Sequence, residues 1–330
     1  MNSIGSLIWV KMWGRNPPNT YSDTFERVTS LIKHIKEGWL HLPGNVRGIL
    51  WLTTGVLILS FVNVLVKLLG NKFHTIEIAF FRYLVGLIIL SPIFIRMGWP
   101  KLRTKRLPLH LLRMSLAFVG QVLVFLSVIY LPLADATAFM FTKPIFTAVA
   151  AVLILHETVN RRRWILTGVG FAGVLIMLRP GTDGVEIMAL IAVGAAAIWG
   201  VANVLIRMLS QTEPTTRILF YYHIGGVVVF LGPAIWLWQT PNVLELVLLV
   251  SIGVGTTACM FCYFRAFAVG EANAVAPAEY TGLVYAALLG FFIFAEIPSI
   301  WIASGALVII GSTYLIARDE SKTKNNEETK

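Results

Sequence analysis

Two ionisable side chains stand inside stretches that are otherwise apolar: Lys143, in Phe141-Thr142-Lys143-Pro144, and Glu279, in Ala276-Pro277-Ala278-Glu279-Tyr280. A charge at bilayer depth costs about 2.5–3.5 kcal/mol on insertion scales, so it marks a functional site or a partner. A lysine there can hold an anionic group, and a glutamate can hold a cation or exchange a proton. Together they suit a zwitterion, with a simple Lys143–Glu279 ion pair as the plainer alternative. Each charge lies beside a proline, Pro144 or Pro277. A proline removes one backbone N–H and frees a carbonyl, which weakens the helix at that depth.

Other polar and aromatic residues could line the same cavity. Arg113, Ala117 and Gln121 recur at i, i+4 and i+8, a stripe that faces protein or water rather than lipid. Gln121 is the better cavity candidate, and Arg113 reads as an anchor at a membrane interface. Asn63, Asn203, Trp199, Tyr263 and Tyr280 complete the candidate substrate-binding set, while Tyr221, Tyr222 and His223 carry less weight. Glu77 and Arg82 read as structural charges. Their five-residue separation is about 500° of helix, so they miss the i, i+4 pairing geometry. Arg82 is expected to bond the ends of neighbouring helices. Cys259-x-x-Cys262 lies in an apolar run and reads as two small hydrophobes, not as a metal or redox site. No Walker loop, metal-ligand cluster or nucleophile elbow occurs, which argues against an ATP-driven pump and a hydrolase. No enzyme activity, cofactor or metal is expected.

The elements that must position these residues are membrane helices. Hydrophobic residues make up 57% of the 330-residue chain and charged residues 13%, with a mean hydropathy of +0.75. Soluble domains carry about 25% charged residues. The partner surface is therefore a lipid bilayer. The net charge of +10 sits in the connections between apolar runs, which excludes nucleic acid as the natural partner. Ten segments can span: 48–70, 75–96, 108–131, 133–155, 162–179, 185–208, 215–238, 244–269, 273–295 and 299–317. Basic residues cluster in the leader, at Arg96 to Arg106, at Arg161 to Arg163 and in the tail, so the positive-inside bias places both termini in the cytoplasm. Residues 1–47 form a leader. Asp23-x-x-Glu26 followed by Phe25, Val28, Ile32, Ile35 and Trp39 at helical spacing predicts an amphipathic helix on the membrane surface. Leu7 to Val10 is too short for a signal-peptide core.

The ten segments are one unit written twice. Asn63-Val64-Leu65-Val66-Lys67-Leu68-Leu69 returns 140 residues later as Asn203-Val204-Leu205-Ile206-Arg207-Met208-Leu209. Phe125 to Glu157 matches Phe264 to Glu296 at an offset of 139. The predicted units are 48–180 and 185–318, with a charged tail at 319–330. Each contains an odd number of spans, so the second inserts with opposite polarity. The fold class is an all-α integral membrane protein with ten transmembrane helices in two inverted five-helix repeats. Inverted repeats are the architecture of secondary transporters, with the substrate near the midplane. A membrane-embedded enzyme or an assembly subunit is the reading from another class.

The five-plus-five arrangement, and the alanine-rich helix, proline and closing glutamate of each half (Ala134 to Glu157; Ala272 to Glu296), resemble the EamA-type branch of the drug/metabolite transporter superfamily. The resemblance covers about 48–318. Phe73-His74-Thr75-Ile76-Glu77-Ile78-Ala79-Phe80-Phe81-Arg82 and Ala276 to Tyr280 are similar to members described as S-adenosylmethionine uptake carriers, with riboflavin carriers also near. Two features depart from the pattern: Leu283 stands where a partner of Pro144 would be, and Lys143 stands where many members are uncharged. The resemblance implies a carrier of a small organic metabolite in the bacterial inner membrane, working by alternating access. Its cavity would be formed by spans 1, 3, 4, 6, 8 and 9. Drug or amino-acid export is the alternative within the same superfamily.

Overall fold

The structure is a computed structural model that describes residues 42–155, 161–178, 187–270 and 275–328. The predicted surface helix of the leader, Glu157 and Arg179 lie outside the described residues.

Long apolar runs with few charges form helices because a backbone without water must satisfy its own hydrogen bonds. Among the described residues, seven helices are long and apolar enough to cross a membrane: α1 (Gly44–Leu69), α2 (Thr75–Met97), α3 (Leu107–Tyr130), α4 (Leu133–Leu155), α6 (Ile187–Ser210), α7 (Thr215–Trp236) and α8 (Val243–Val269). Three more complete the order: α5 (Arg161–Leu178), α9 (Thr281–Phe294) and α10 (Ile300–Glu328), each carrying a shorter apolar stretch. A single turn, Trp99–Leu102, lies between α2 and α3. α10 continues as helix to Glu328, so part of the predicted tail is helical. The outer surface is apolar, with Ile95, Trp236, Phe292, Ile297 and Leu307 all exposed. His110, Arg113, Gln121, Glu213 and His223 are buried. That distribution is what a lipid environment selects.

Local signals set the helix ends. His74 Nδ1 accepts from the Ile76 N–H at the start of α2. Asn242 and Glu245 form a reciprocal capping box at the start of α8. Lys72 donates to the Glu245 carboxylate at 2.7 Å, joining the α1–α2 turn to α8.

The packing pattern repeats between the halves. α1 packs on α8 as α6 packs on α3; α1 packs on α9 as α6 packs on α4. α2 meets α7, α5 meets α10, and α4 meets α9. Exchanging each helix for the one five places on leaves this set unchanged, which is the signature of a duplicated five-helix unit. At the α4–α6 contact a Cβ on Gly200 would lie 2.8 Å from the Phe146 Cβ and 2.9 Å from the Thr147 backbone nitrogen. Overpacking that displaces backbone costs about 1–3 kcal/mol. Gly200→Ala is therefore expected to lower the thermal midpoint of the purified protein, whereas Gly194→Ala, with open space around it, leaves it unchanged.

Two ends of the bundle are distinguished by their connections. At one, Lys67, Leu131, Leu133 and Glu296 come together; at the other, Thr104, His110, Glu213 and Arg217 do. Glu213, in the α6–α7 connection, accepts from Thr104 at 2.7 Å and from Arg217 at 2.6 Å, with His110 at 4.0 Å. Burial raises its pKa, but Thr104 and Arg217, with His110 nearby, outweigh this and hold the carboxyl below its ordinary value. A depressed carboxylate contributes stability above its unfolded pKa of about 4.3 and loses it as pH falls through the folded value. The thermal midpoint is expected to fall as pH drops below about 4.3, and Glu213→Gln to shed part of that acid-side slope. Thermal scans from neutral pH down into the acid range measure both.

Candidate transport site

The two sequence-marked charges meet where both repeats interrupt a helix. α4 is made of Leu133–Met140 and Lys143–Leu155, separated by Phe141 and Thr142. Pro144 has no N–H for the Met140 carbonyl four residues back. The Phe141 and Thr142 N–H groups instead turn inward to Ala138 and Phe139 at 3.0 and 3.1 Å. In the second half, Pro277 opens a 3-10 turn, Ala276–Tyr280, and α9 starts at Thr281. Thr142 Oγ1 donates to the Phe139 carbonyl and Thr281 Oγ1 to the Ala278 carbonyl, both at 2.7 Å. These threonines are repeat equivalents at the offset of 139. So are Phe141 and Tyr280, whose rings meet edge to face at 5.3 Å. Equivalent residues touching each other place the relating axis between the two breaks. The second half thus has its own break although Leu283 replaces the proline: Pro277 makes it from the other side.

Lys143 Nζ lies 3.9 Å from Glu279 Oε1, and the two side chains keep 31% and 41% of their surface exposed. That separation is too long for a hydrogen bond and leaves both groups accessible. Tyr263 Oη, from α8, donates to the same Glu279 oxygen at 3.4 Å. Tyr263 is half-buried against Leu52, Val56, Ala266 and Val275, with Trp51 and Tyr285 beside it. The result is an accessible cation and anion under an aromatic wall. Asn63 and Asn203 are both half-buried, and neither side chain makes a hydrogen bond among the described residues.

A second polar group lies between α2, α3 and α7. Arg82 donates to Gln121 and stacks over Tyr83 at 5.2 Å. Arg113 lies over the Tyr222 ring at 4.7 Å, and Tyr83 Oη donates to Tyr222 Oη at 3.0 Å. Phe118 and Phe230 close around the tyrosines. Here the structure departs from the sequence reading in two places. Arg113 is only 5% exposed, because α7 lays Tyr222 across it, so it is no interface anchor. Arg82 bonds the Gln121 side chain rather than helix ends, since α3 presents that amide directly opposite. Glu77 is separate from Arg82: it is fully buried and accepts from the Gln239 N–H at 3.3 Å. Tyr83 went unremarked in the sequence, where one tyrosine in an apolar helix carries no signal. Trp199 is half-buried, its ring 3.1 Å from where a Cβ of Gly120 would stand. Cys259 and Cys262 are free and buried, and among the described residues no cluster could hold a metal ion.

The profile of the EamA-like transporter family matches residues 46–179 and again 186–318. The chain belongs to the EamA-like transporter family. Its two matched stretches are the two halves that pack with exchanged partners, and the break with its accessible charges lies at their junction. This EamA-like transporter is 33% identical over 286 residues to the S-adenosylmethionine uptake transporter of Rickettsia prowazekii, covering 87% of this chain and 97% of that protein. It is 29% identical to the riboflavin transporter of Vibrio cholerae over 287 residues, covering 86% and 96%. It is also 29% identical to the pseudopaline exporter of Pseudomonas aeruginosa over 255 residues, covering 76% and 89%. A crystal structure with 17% identity superposes at a TM-score of 0.57, over 82% of this chain and 96% of that one, which speaks for the fold alone. The protein is accordingly a multi-pass membrane transporter of small metabolites, not an enzyme.

Proposed function

We propose that this EamA-like transporter takes up a zwitterionic metabolite of the S-adenosylmethionine type by alternating access, with Lys143 and Glu279 as the charges that recognise it. The observation that carries this reading is the accessible, loosely spaced Lys143–Glu279 pair at the paired helix breaks. A sulfonium or ammonium centre would replace Lys143 as the partner of Glu279, and a carboxylate would be drawn to the cationic side. Phe141, Tyr263 and Tyr280 offer ring faces to a flat base, and a cation above such a ring gains further attraction. Gln121, Trp199, Asn63 and Asn203 are assigned to the same cavity, and Pro144 and Pro277 to the hinges that open it. The repeats are assigned to 48–180 and 185–318. The end of the bundle carrying Arg96, Lys101, Arg103 and Arg161 is assigned to the cytoplasm of the inner membrane, together with both termini.

A thermal-shift panel tests the substrate class. A ligand that binds only the folded state stabilises it by about 2.7 kcal/mol at a hundredfold excess over Kd. S-adenosylmethionine is expected to raise the midpoint, with riboflavin, neutral amino acids and quaternary amines giving smaller shifts. A larger shift with riboflavin would transfer the assignment to the uncharged class.

A further inference from the structure

Arg82 and Arg113 bring two guanidinium charges into the interior of the bundle, and no carboxylate pairs with either among the described residues. Arg113 is 5% exposed, and its Nε and Nη1 are buried without a hydrogen-bond partner. A guanidinium cannot shed its proton to escape such a position. The faces of Tyr83 and Tyr222 offset part of the charge, and Gln121 supplies one neutral acceptor to Arg82. Neither supplies a negative charge. Buried charges that persist in proteins are paired, and none of the described carboxylates pairs with these two.

Access and position point the same way. Arg82 keeps part of its surface exposed, and α8, which packs on α2, carries Tyr263, the hydrogen-bond partner of Glu279. We propose that Arg82 and Arg113 form an anion subsite of the transport path that takes the carboxylate of the transported metabolite, with Gln121 holding Arg82 in place. The assignment of the carboxylate to transported substrate rests on the carrier reading above. It divides the work: Glu279 takes the cationic centre, Lys143 draws the carboxylate in, and the arginines hold it.

The test has two arms on the purified full-length protein. In the first, sodium formate replaces sodium gluconate at constant ionic strength while the thermal midpoint is followed. Formate is expected to raise the midpoint of the wild type by several degrees. Arg82→Gln and Arg113→Gln are expected to lose that response, and Arg113→Lys, which keeps the charge, to retain a weaker one. An equal formate response in wild type and both glutamine variants would overturn the subsite. In the second arm, S-adenosylmethionine is compared with its decarboxylated analogue by titration calorimetry. Wild type is expected to prefer the carboxylated compound at least tenfold, and Arg82→Gln to show no preference. Equal binding of both compounds to wild type overturns the subsite while leaving the substrate reading intact. An arginine-dependent formate response without S-adenosylmethionine binding does the reverse. If the glutamine variants fail to fold, Arg82→Lys and Arg113→Lys carry the first arm, and an undiminished formate affinity in both overturns the proposal.

Discussion

Glu279→Gln is expected to lower kcat/KM for uptake by about ten- to a hundredfold, since charge-assisted hydrogen bonds contribute about 1.5–3 kcal/mol and each 1.4 kcal/mol is a factor of ten. The glutamine keeps the shape and still accepts from Tyr263, so the loss isolates the charge. Lys143→Ala is expected to fall in the same range. Because the two side chains are 3.9 Å apart and a third or more exposed, their mutual attraction is largely screened by water and contributes little to folding. Both variants should therefore unfold near the wild-type temperature. The exchange Lys143→Glu with Glu279→Lys separates the two roles of the pair. A structural ion pair would be restored by it, whereas a substrate site with a fixed polarity would remain inactive.

Breaking the latch at the Lys67 end is expected to destabilise the protein most. Lys67 donates to the Leu131 carbonyl and to Glu296, while Glu296 also accepts from the Leu133 N–H at 2.7 Å. One ion pair thus joins the end of α1, the α3–α4 turn and the segment after α9. Ala295, at φ 55°, is the only non-glycine residue with positive φ among the described residues, and it turns the chain so that Glu296 faces back toward Lys67. The side chains are 12% and 19% exposed, between the surface case of about 0–1 kcal/mol and the buried case of about 3–5 kcal/mol. Lys67→Met leaves a carboxylate without its cation and a carbonyl without its donor. A loss of about 2–3 kcal/mol follows. Glu296→Ala should match it, and the double variant should lose less than the sum, because the two residues act as one unit. Chemical or thermal unfolding of the three variants in one detergent measures the coupling.

How far these features could be read from the sequence depends on what each residue contrasts with. Lys143 and Glu279 were legible because a charge inside an apolar run stands out, and the neighbouring prolines located both helix breaks. The helix order was legible because ten apolar runs are separated by polar connections. Lys67 and Glu296 were not legible as a pair: they are 229 residues apart, and each alone looks like a charge at a helix end. Arg113 misled because its distance along the chain from the α3 start suggested a shallow position. The burial of a side chain is set by what packs over it, and Tyr222 comes from a helix more than a hundred residues away. Arg82 misled for a related reason, since helical spacing names the face of α2 but not the amide on α3 that meets it.

Uptake of radiolabelled S-adenosylmethionine into proteoliposomes containing the full-length protein tests the central claim most directly. Time-dependent accumulation above protein-free liposomes, competed by unlabelled compound and reduced at least tenfold by Glu279→Gln, is the predicted result. Accumulation no greater than in protein-free liposomes, or uptake that Glu279→Gln leaves unchanged, would contradict the account.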